Sequence, residues 1–267
     1  MTVRNTETTS RMPSVFLSHG APMLADDATW TGELAEWADN LPEPTSVLVV
    51  SAHWEAAPLM IGATETVPLL YDFYGFAERY YQVRYEAPGA PDLAESVGRL
   101  LAGPGQTLHQ DPTRGLDHGA YVPLIEMYPD AGVPVLQISM PTLDPAELFD
   151  LGRRLAPLRD EGVLILGGGF STHNLQEMNF GAPAQSPPPS WSSEFDDWLD
   201  QTLAASDLDA LMDFQTKAPA AGIAHPRTEH FAPLFVALGA AAESSLEVET
   251  AIDGFWYGLS KRSVQMA

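Results

Sequence analysis

The sequence predicts an α/β fold: one domain built as a three-layer sandwich, with a mixed, mostly parallel sheet between layers of helices. Three observations lead there. Short apolar runs such as Val47-Leu48-Val49-Val50 and Val163-Leu164-Ile165-Leu166 read as strands covered on both faces. Segments with helical spacing of apolar residues alternate with them, and Gly, Pro and Ser punctuate the joins. The chain of 267 residues shows no internal repeat, and its one linker-like stretch, GAPAQSPPPS (181–190), has histidine-bearing motifs on both sides.

In chain order, the polar opening MTVRNTETTSRM reads as a tail over residues 1–12. Strands are expected at 14–18, 47–52, 59–63, 133–140 and 163–166, and 246–251 is expected to pair with 255–260 as a hairpin across Asp253-Gly254. Helices are expected at 30–38, 91–101, 120–128, 145–159, 191–205 and roughly 229–240. The fourth has the clearest start, with Asp144 as N-cap, Pro145 at the first helical position and Glu147 two residues on. In the fifth, Trp191, Phe195, Trp198, Leu199 and Leu203 form a stripe that reads as core.

Composition excludes several classes of function. There is no cysteine, so disulfides, thiolate zinc sites, Fe–S clusters and thiol catalysis are all absent, and any metal must be held by His, Asp or Glu. The formal charge is −23 with only 13 Lys and Arg, a field that repels phosphate backbones, so neither nucleic acid nor an anionic membrane is an expected partner. The acids are scattered, which reads as a solvated surface, of the kind high salt favours. The apolar runs are too short to cross a bilayer and no secretory signal is visible, so the expectation is a cytoplasmic protein, with homo-oligomerisation left open.

Three of the seven histidines share one local grammar. The run 14–17 leads into Ser18-His19, the run 47–50 leads to His53, and 163–166 passes through three glycines to His173. In open α/β sheets, ligands bind beyond the carboxyl ends of the strands, so these imidazoles are expected to converge on one rim. Neutral imidazoles with open positions suit Zn(II) or non-haem Fe(II). His109 follows no such pattern and reads as structural or exposed. Gly167-Gly168-Gly169 is a weak hint of a phosphate loop, lacking both the dinucleotide fingerprint and a P-loop lysine. Gly169-Phe170-Ser171 falls short of a nucleophile elbow because position 173 is His rather than Gly.

Taken together, SHGAP (18–22), SAHWE (51–55), YDFYGFAERYYQVRYEAPG (71–89), LDHGAYVPL (116–124), GGGFSTHNL (167–175) and HPRTEHFAPLFVALGAA (225–241) resemble the class III extradiol ring-cleavage dioxygenases. Within that class they are similar to the DOPA-4,5-dioxygenase branch of the LigB family, over about residue 13 to the C-terminus. The resemblance implies a catalytic domain over 13–267 with a mononuclear metal held by His19, His53 and His230. It implies His173 as acid/base residue, close enough in some members to be a fourth ligand, and His118 as a contact to substrate or oxygen. Many bacterial members have P-T-P-E-H where this chain has 225–230, which leaves His225 a spectator or a support for the site. Glu229 stays a rival to His230 as third ligand, since other ring-opening enzymes use a carboxylate there.

The implied reaction cleaves the ring of a catechol, DOPA-like or related, with both atoms of O₂ incorporated. Fe(II) is expected for activity and Zn(II) in isolated material, because zinc binds N/O sites more tightly. His173 would take and return a catechol proton, His118 would stabilise developing charge, and Asp117 would orient His118. Tyr71, Phe73, Phe76, Tyr80 and Tyr81 are read as an aromatic wall or lid, or else as packing. The alternative functions are a non-catalytic or hydrolytic zinc-binding member of the same superfamily.

Overall fold

In the computed structural model, which describes residues 11–103, 108–242 and 246–267, both faces of the apolar strands are covered. Four parallel strands form the centre: β1 (Ser14–Ser18), β2 (Ser46–Glu55), β5 (Val135–Met140) and β6 (Val163–Gly169). The full sheet has the order β4-β3-β5-β2-β6-β1-β10-β7, completed by β3 (Met60–Ile61), β4 (His109–Gln110), β7 (Val248–Ile252) and β10 (Ser263–Met266). β3 against β5, β10 against β1 and β7 against β10 are antiparallel, so the sheet is mixed and mostly parallel.

Side chains alternate between the two helical layers with the period of the pleat. Val15, Leu17, Val47, Val49, Leu164 and Leu166 pack on one side with α1 (Ala28–Asn40) and α3 (His118–Met127). Phe16, Leu48, Val50 and Ile165 pack on the other, with α2 (Pro91–Leu101), α4 (Pro145–Leu155), α5 (Ser190–Ala204) and α9 (Pro233–Ala241). The short helices α6 (Leu208–Met212), α7 (Phe214–Lys217) and α8 (Ala221–Ala224) lead into α9. The fold is a single α/β domain, a sheet between helices, as the apolar runs imply. Among the described residues no helix is long and apolar enough to cross a membrane.

Several expected boundaries move, for local physical reasons. β2 continues through His53 to Glu55, with its ladder to β5 broken between Val50 and Glu55. The glycines of β6 are strand, not loop. Helix α4 stops at Leu155 because Pro157 has no N–H to give, and a 3₁₀ turn, Ala156–Glu161, takes over. The helix expected from 229 begins at Pro233, which leaves Glu229 and His230 in the turn before it.

The expected terminal hairpin is replaced by two pairings. β7 pairs with β10, while β8 (Phe255–Trp256) pairs with β9 (Leu259–Ser260) around Tyr257 and Gly258. Both turn residues have positive φ, 48° and 91°, as a two-residue hairpin loop needs. Of the tail expected over 1–12, residues 1–10 lie outside the described residues. Met12 is buried, and its N–H donates to the Arg159 carbonyl at 3.1 Å. The Arg159 guanidinium in turn donates to the carbonyls of Met12 and Ala240, so residue 12 belongs to the core.

Candidate metal centre

Each histidine reaches the rim by a different backbone device. His19 follows β1 directly, and its N–H donates to the Gly169 carbonyl at 3.0 Å, tying it to the end of β6. His53 sits in the irregular stretch of β2, where the five-residue step from Val50 to Glu55 runs alongside the two-residue step from Ile138 to Met140 of β5. A break of this kind re-aims a side chain out of the sheet. His118 is the first residue of α3. His173 lies beyond β6, held by its N–H on the Ala224 carbonyl at 2.9 Å. His230 is anchored by its carbonyl, which accepts from the Phe170 N–H at 2.8 Å.

The glycines at these joins are there for close approach. A Cβ at Gly169 would stand 2.1 Å from the His230 carbonyl oxygen, and one at Gly167 would stand 2.5 Å from that of Pro233. The triplet that hinted at phosphate binding instead lets the His230 turn lie against β6. Gly119 serves α3 in the same way, since a Cβ there would meet Ser51 Oγ at 2.5 Å.

His19, His53 and His230 each bring one ligand atom within 4.8 Å of the others. The Nε2 atoms of His19 and His53 are 3.0 Å apart. His53 Nδ1 lies 3.3 Å from Asp72, and His230 Nδ1 lies 2.9 Å from Glu229 Oε1, so in both rings Nε2 is the nitrogen available to a ligand. This is the carboxylate–imidazole arrangement that backs metal-bound histidines. Burial, then the neighbouring imidazoles, holds His19 and His230 well below the ordinary histidine range. Burial, followed by His118, lowers His53 to about 3 against the opposing pull of Asp72. Neutral rings keep their lone pairs, as metal ligation requires.

The three residues fit a divalent ion. Two imidazole nitrogens bound to one ion at about 2.0–2.1 Å stand roughly 3 Å apart when they subtend a right angle, which matches the His19–His53 separation. No thiolate competes, because the chain has none.

His118 and His173 flank the trio on the side of a cavity of about 490 Å³ whose lining includes all five histidines. The His173 ring stacks on His230, with centroids 3.4 Å apart. Burial, with His118 as the lesser cause, lowers His173 to about 4. His173 forms a possible ligand group with Glu229 and His230 but with neither His19 nor His53.

Phe73, Tyr74 and Phe76 line the cavity, as do Met23, Phe170, Met178, Phe180 and Trp256. Tyr71, Tyr80 and Tyr81 do not. Tyr71 donates to the Val83 carbonyl, Tyr81 to that of Phe73, and Tyr80 to Asp26. The aromatic segment is therefore part wall and part fastening.

Other expectations resolve differently. His109 is exposed on β4. His225 is buried against Phe195, Phe214 and Phe231, with Nε2 on the Ser171 carbonyl at 2.9 Å, so it supports the loop before His173 from outside the cavity. Asp117 does not orient His118. It is fully buried beneath β2, accepting from Ser51 at 2.8 Å, from Arg114 at 3.2 Å and from Gln137. Burial, then Asp72, raises its pKa. The orienting carboxylate is Asp72, whose Oδ1 accepts from the His118 N–H at 3.1 Å and lies 2.7 Å from its Nδ1. Burial is the largest single influence on Asp72 and would raise it, but the hydrogen bonds and charge of His118, together with the charge of His53, outweigh it and lower the pKa. Its place inside the aromatic segment was the available signal.

Comparison with known proteins gives the family. Residues 8–259 match the family model described as the catalytic LigB subunit of aromatic ring-opening dioxygenase. A Beta vulgaris protein named 4,5-DOPA dioxygenase extradiol is 43% identical over 86% of this chain and 87% of its own length. An Escherichia coli K12 protein of the same name is 35% identical over 96% of this chain and 95% of its own. A crystal structure of an uncharacterised E. coli K12 protein superposes with a TM-score of 0.81 at 33% identity, covering 96% of this chain and 100% of that one. The chain belongs to the LigB family of aromatic ring-opening dioxygenases.

Proposed function

We propose that the protein is a metal-dependent extradiol dioxygenase that opens the ring of a catechol with incorporation of both atoms of O₂. The observation that carries the reading is the meeting of His19, His53 and His230, each within 4.8 Å of the others, at a cavity also lined by His118 and His173. Fe(II) held by those three would keep coordination positions open for a diol and dioxygen and would acidify the diol hydroxyls.

The chain's own residues do the rest. His173 is neutral near pH 7 and lines the cavity, so its ring nitrogen accepts a proton from a catechol hydroxyl and returns one later. His118, fixed through Nδ1 by Asp72, presents its other nitrogen to oxygen atoms of the reacting complex and stabilises charge there. Glu229 occupies Nδ1 of His230, which suits a supporting carboxylate better than a ligand. The apolar walls exclude water from the ring being opened. The relatives' names make DOPA one candidate substrate.

The test is anaerobic loading with Fe(II), then catechols and ¹⁸O₂. A yellow ring-opened product carrying two labelled oxygens is expected. Silence across a panel of catechols overturns the reading and leaves a zinc-binding or hydrolytic role. His173→Gln should keep the metal and lose roughly 10²–10⁴-fold in kcat, and unchanged turnover would remove the acid/base assignment.

A further inference from the structure

We infer that Asp117 is a positioning residue for the metal centre: acting through Ser51 and Arg114, its buried carboxylate clamps the backbone of His53 and so aims that imidazole at the ion. The inference deepens the ring-cleavage reading and rests on it for the ion, while the clamp is made of this chain's own hydrogen bonds.

The strand creates the need for a clamp. The ladder of β2 to β5 is broken between Val50 and Glu55, and the pairing of β2 with β6 ends at Ser51 and Gly168. His53 has no register partner on either neighbouring strand. Side chains hold its backbone instead. Its N–H donates to Ser51 Oγ at 3.2 Å, and its carbonyl accepts from Arg114 Nη2 at 3.2 Å.

Both lines end on Asp117. Ser51 Oγ donates to Oδ1 at 2.8 Å, and the same Arg114 nitrogen donates to Oδ2 at 3.2 Å. Because the Ser51 hydrogen points at the carboxylate, a lone pair of that hydroxyl faces the His53 N–H. Gln137 of β5 donates to the carboxylate as well. The Arg114 guanidinium also lies over the Trp54 ring, 4.4 Å from its centroid, which keeps it from swinging away.

Asp117 is fully buried and Arg114 mostly so. A buried ion pair is a poor source of stability, since desolvation offsets the attraction. What this one supplies is direction. An imidazole has to meet the ion at about 2.0–2.1 Å, and a loosened backbone at its root gives that distance up.

The experiment is a double-mutant cycle on Zn(II) affinity, measured by chelator competition on the metal-free unaltered protein, Asp117→Asn, His53→Ala and the double variant. Asn has one acceptor oxygen where Asp has two, so one line of the clamp loses its end. With His53 present, Asp117→Asn is expected to weaken zinc binding roughly 10–100-fold. In the His53→Ala background the residual binding should stay within about twofold, because nothing is left to aim. A general loosening of the fold would lower affinity equally in both backgrounds. Should Asp117→Asn fail to fold, Ser51→Ala takes its place in the cycle, with a roughly 2–10-fold loss confined to the same background. Equal losses in the two backgrounds, or unchanged affinity with His53 present, overturn the inference.

No catechol enters this cycle, so the two readings separate. Loss confined to the His53 background, with no cleavage by the Fe(II) form, keeps the clamp and removes the reaction. Cleavage together with equal losses does the reverse.

Discussion

Asp72 supports two of the site's histidines at once, because one carboxylate contacts both His118 and His53. Asp72→Asn keeps the shape and weakens both contacts. Supporting partners of this kind are worth roughly 10–100-fold in metal affinity or activity, and chelator competition should show a loss on that scale. An unchanged affinity and rate would mean the rings are held by packing alone. His225 makes a contrasting case. Burial lowers it to about 3, whereas the unfolded chain titrates near 6.5. The unfolded state binds the extra proton between those values, so this group removes stability as pH falls from about 6.5 towards 3 and has no such effect above. His225→Phe abolishes that dependence. From pH 7.5 to pH 5, stability should therefore shift in favour of the variant by roughly 2 kcal/mol, read by denaturant unfolding of the metal-free proteins; parallel pH profiles would contradict it. Residue by residue, His19, His53 and His173 were legible because each follows an apolar run that can only be a buried strand. Asp72 was not, because its partners lie 46 and 19 positions away and no local period marks it.

At the level of elements, the joins between strand and loop do the positioning. The end of β6 is bare so that the His230 turn can rest on it. Gly169→Ala would force a methyl group to within 2.1 Å of the His230 carbonyl oxygen, where backbone has to move. Overpacking of this sort costs about 1–3 kcal/mol, and both the melting temperature and metal affinity should fall. A fully active, metal-replete Gly169→Ala would show that the turn has slack. The central strands and the helices over 91–101 and 190–204 could be read from apolar period, and the start of the helix at Pro145 from its Asp144 cap. The small pieces could not. β8 and β9 are two residues each, and β10 is four residues, Ser263–Met266, with Ser and Gln among its apolar residues. Such segments become strands only because a neighbour's backbone is waiting for them, which is tertiary information.

Across the whole molecule, the parallel sheet brings together residues that are far apart in sequence. His19 and His230 are separated by most of the chain, yet β1 and β6 lie side by side and α9 packs against both, so the two rings meet with centroids 5.4 Å apart. The most direct measurement is a titration of metal-free protein with Fe(II) under argon, repeated for His19→Ala, His53→Ala, His230→Ala and His225→Phe. One ion per chain is predicted for the unaltered protein and for His225→Phe, with tight binding lost in the other three. Full, tight stoichiometry in any of those three histidine-to-alanine variants would contradict the metal centre proposed for this rim.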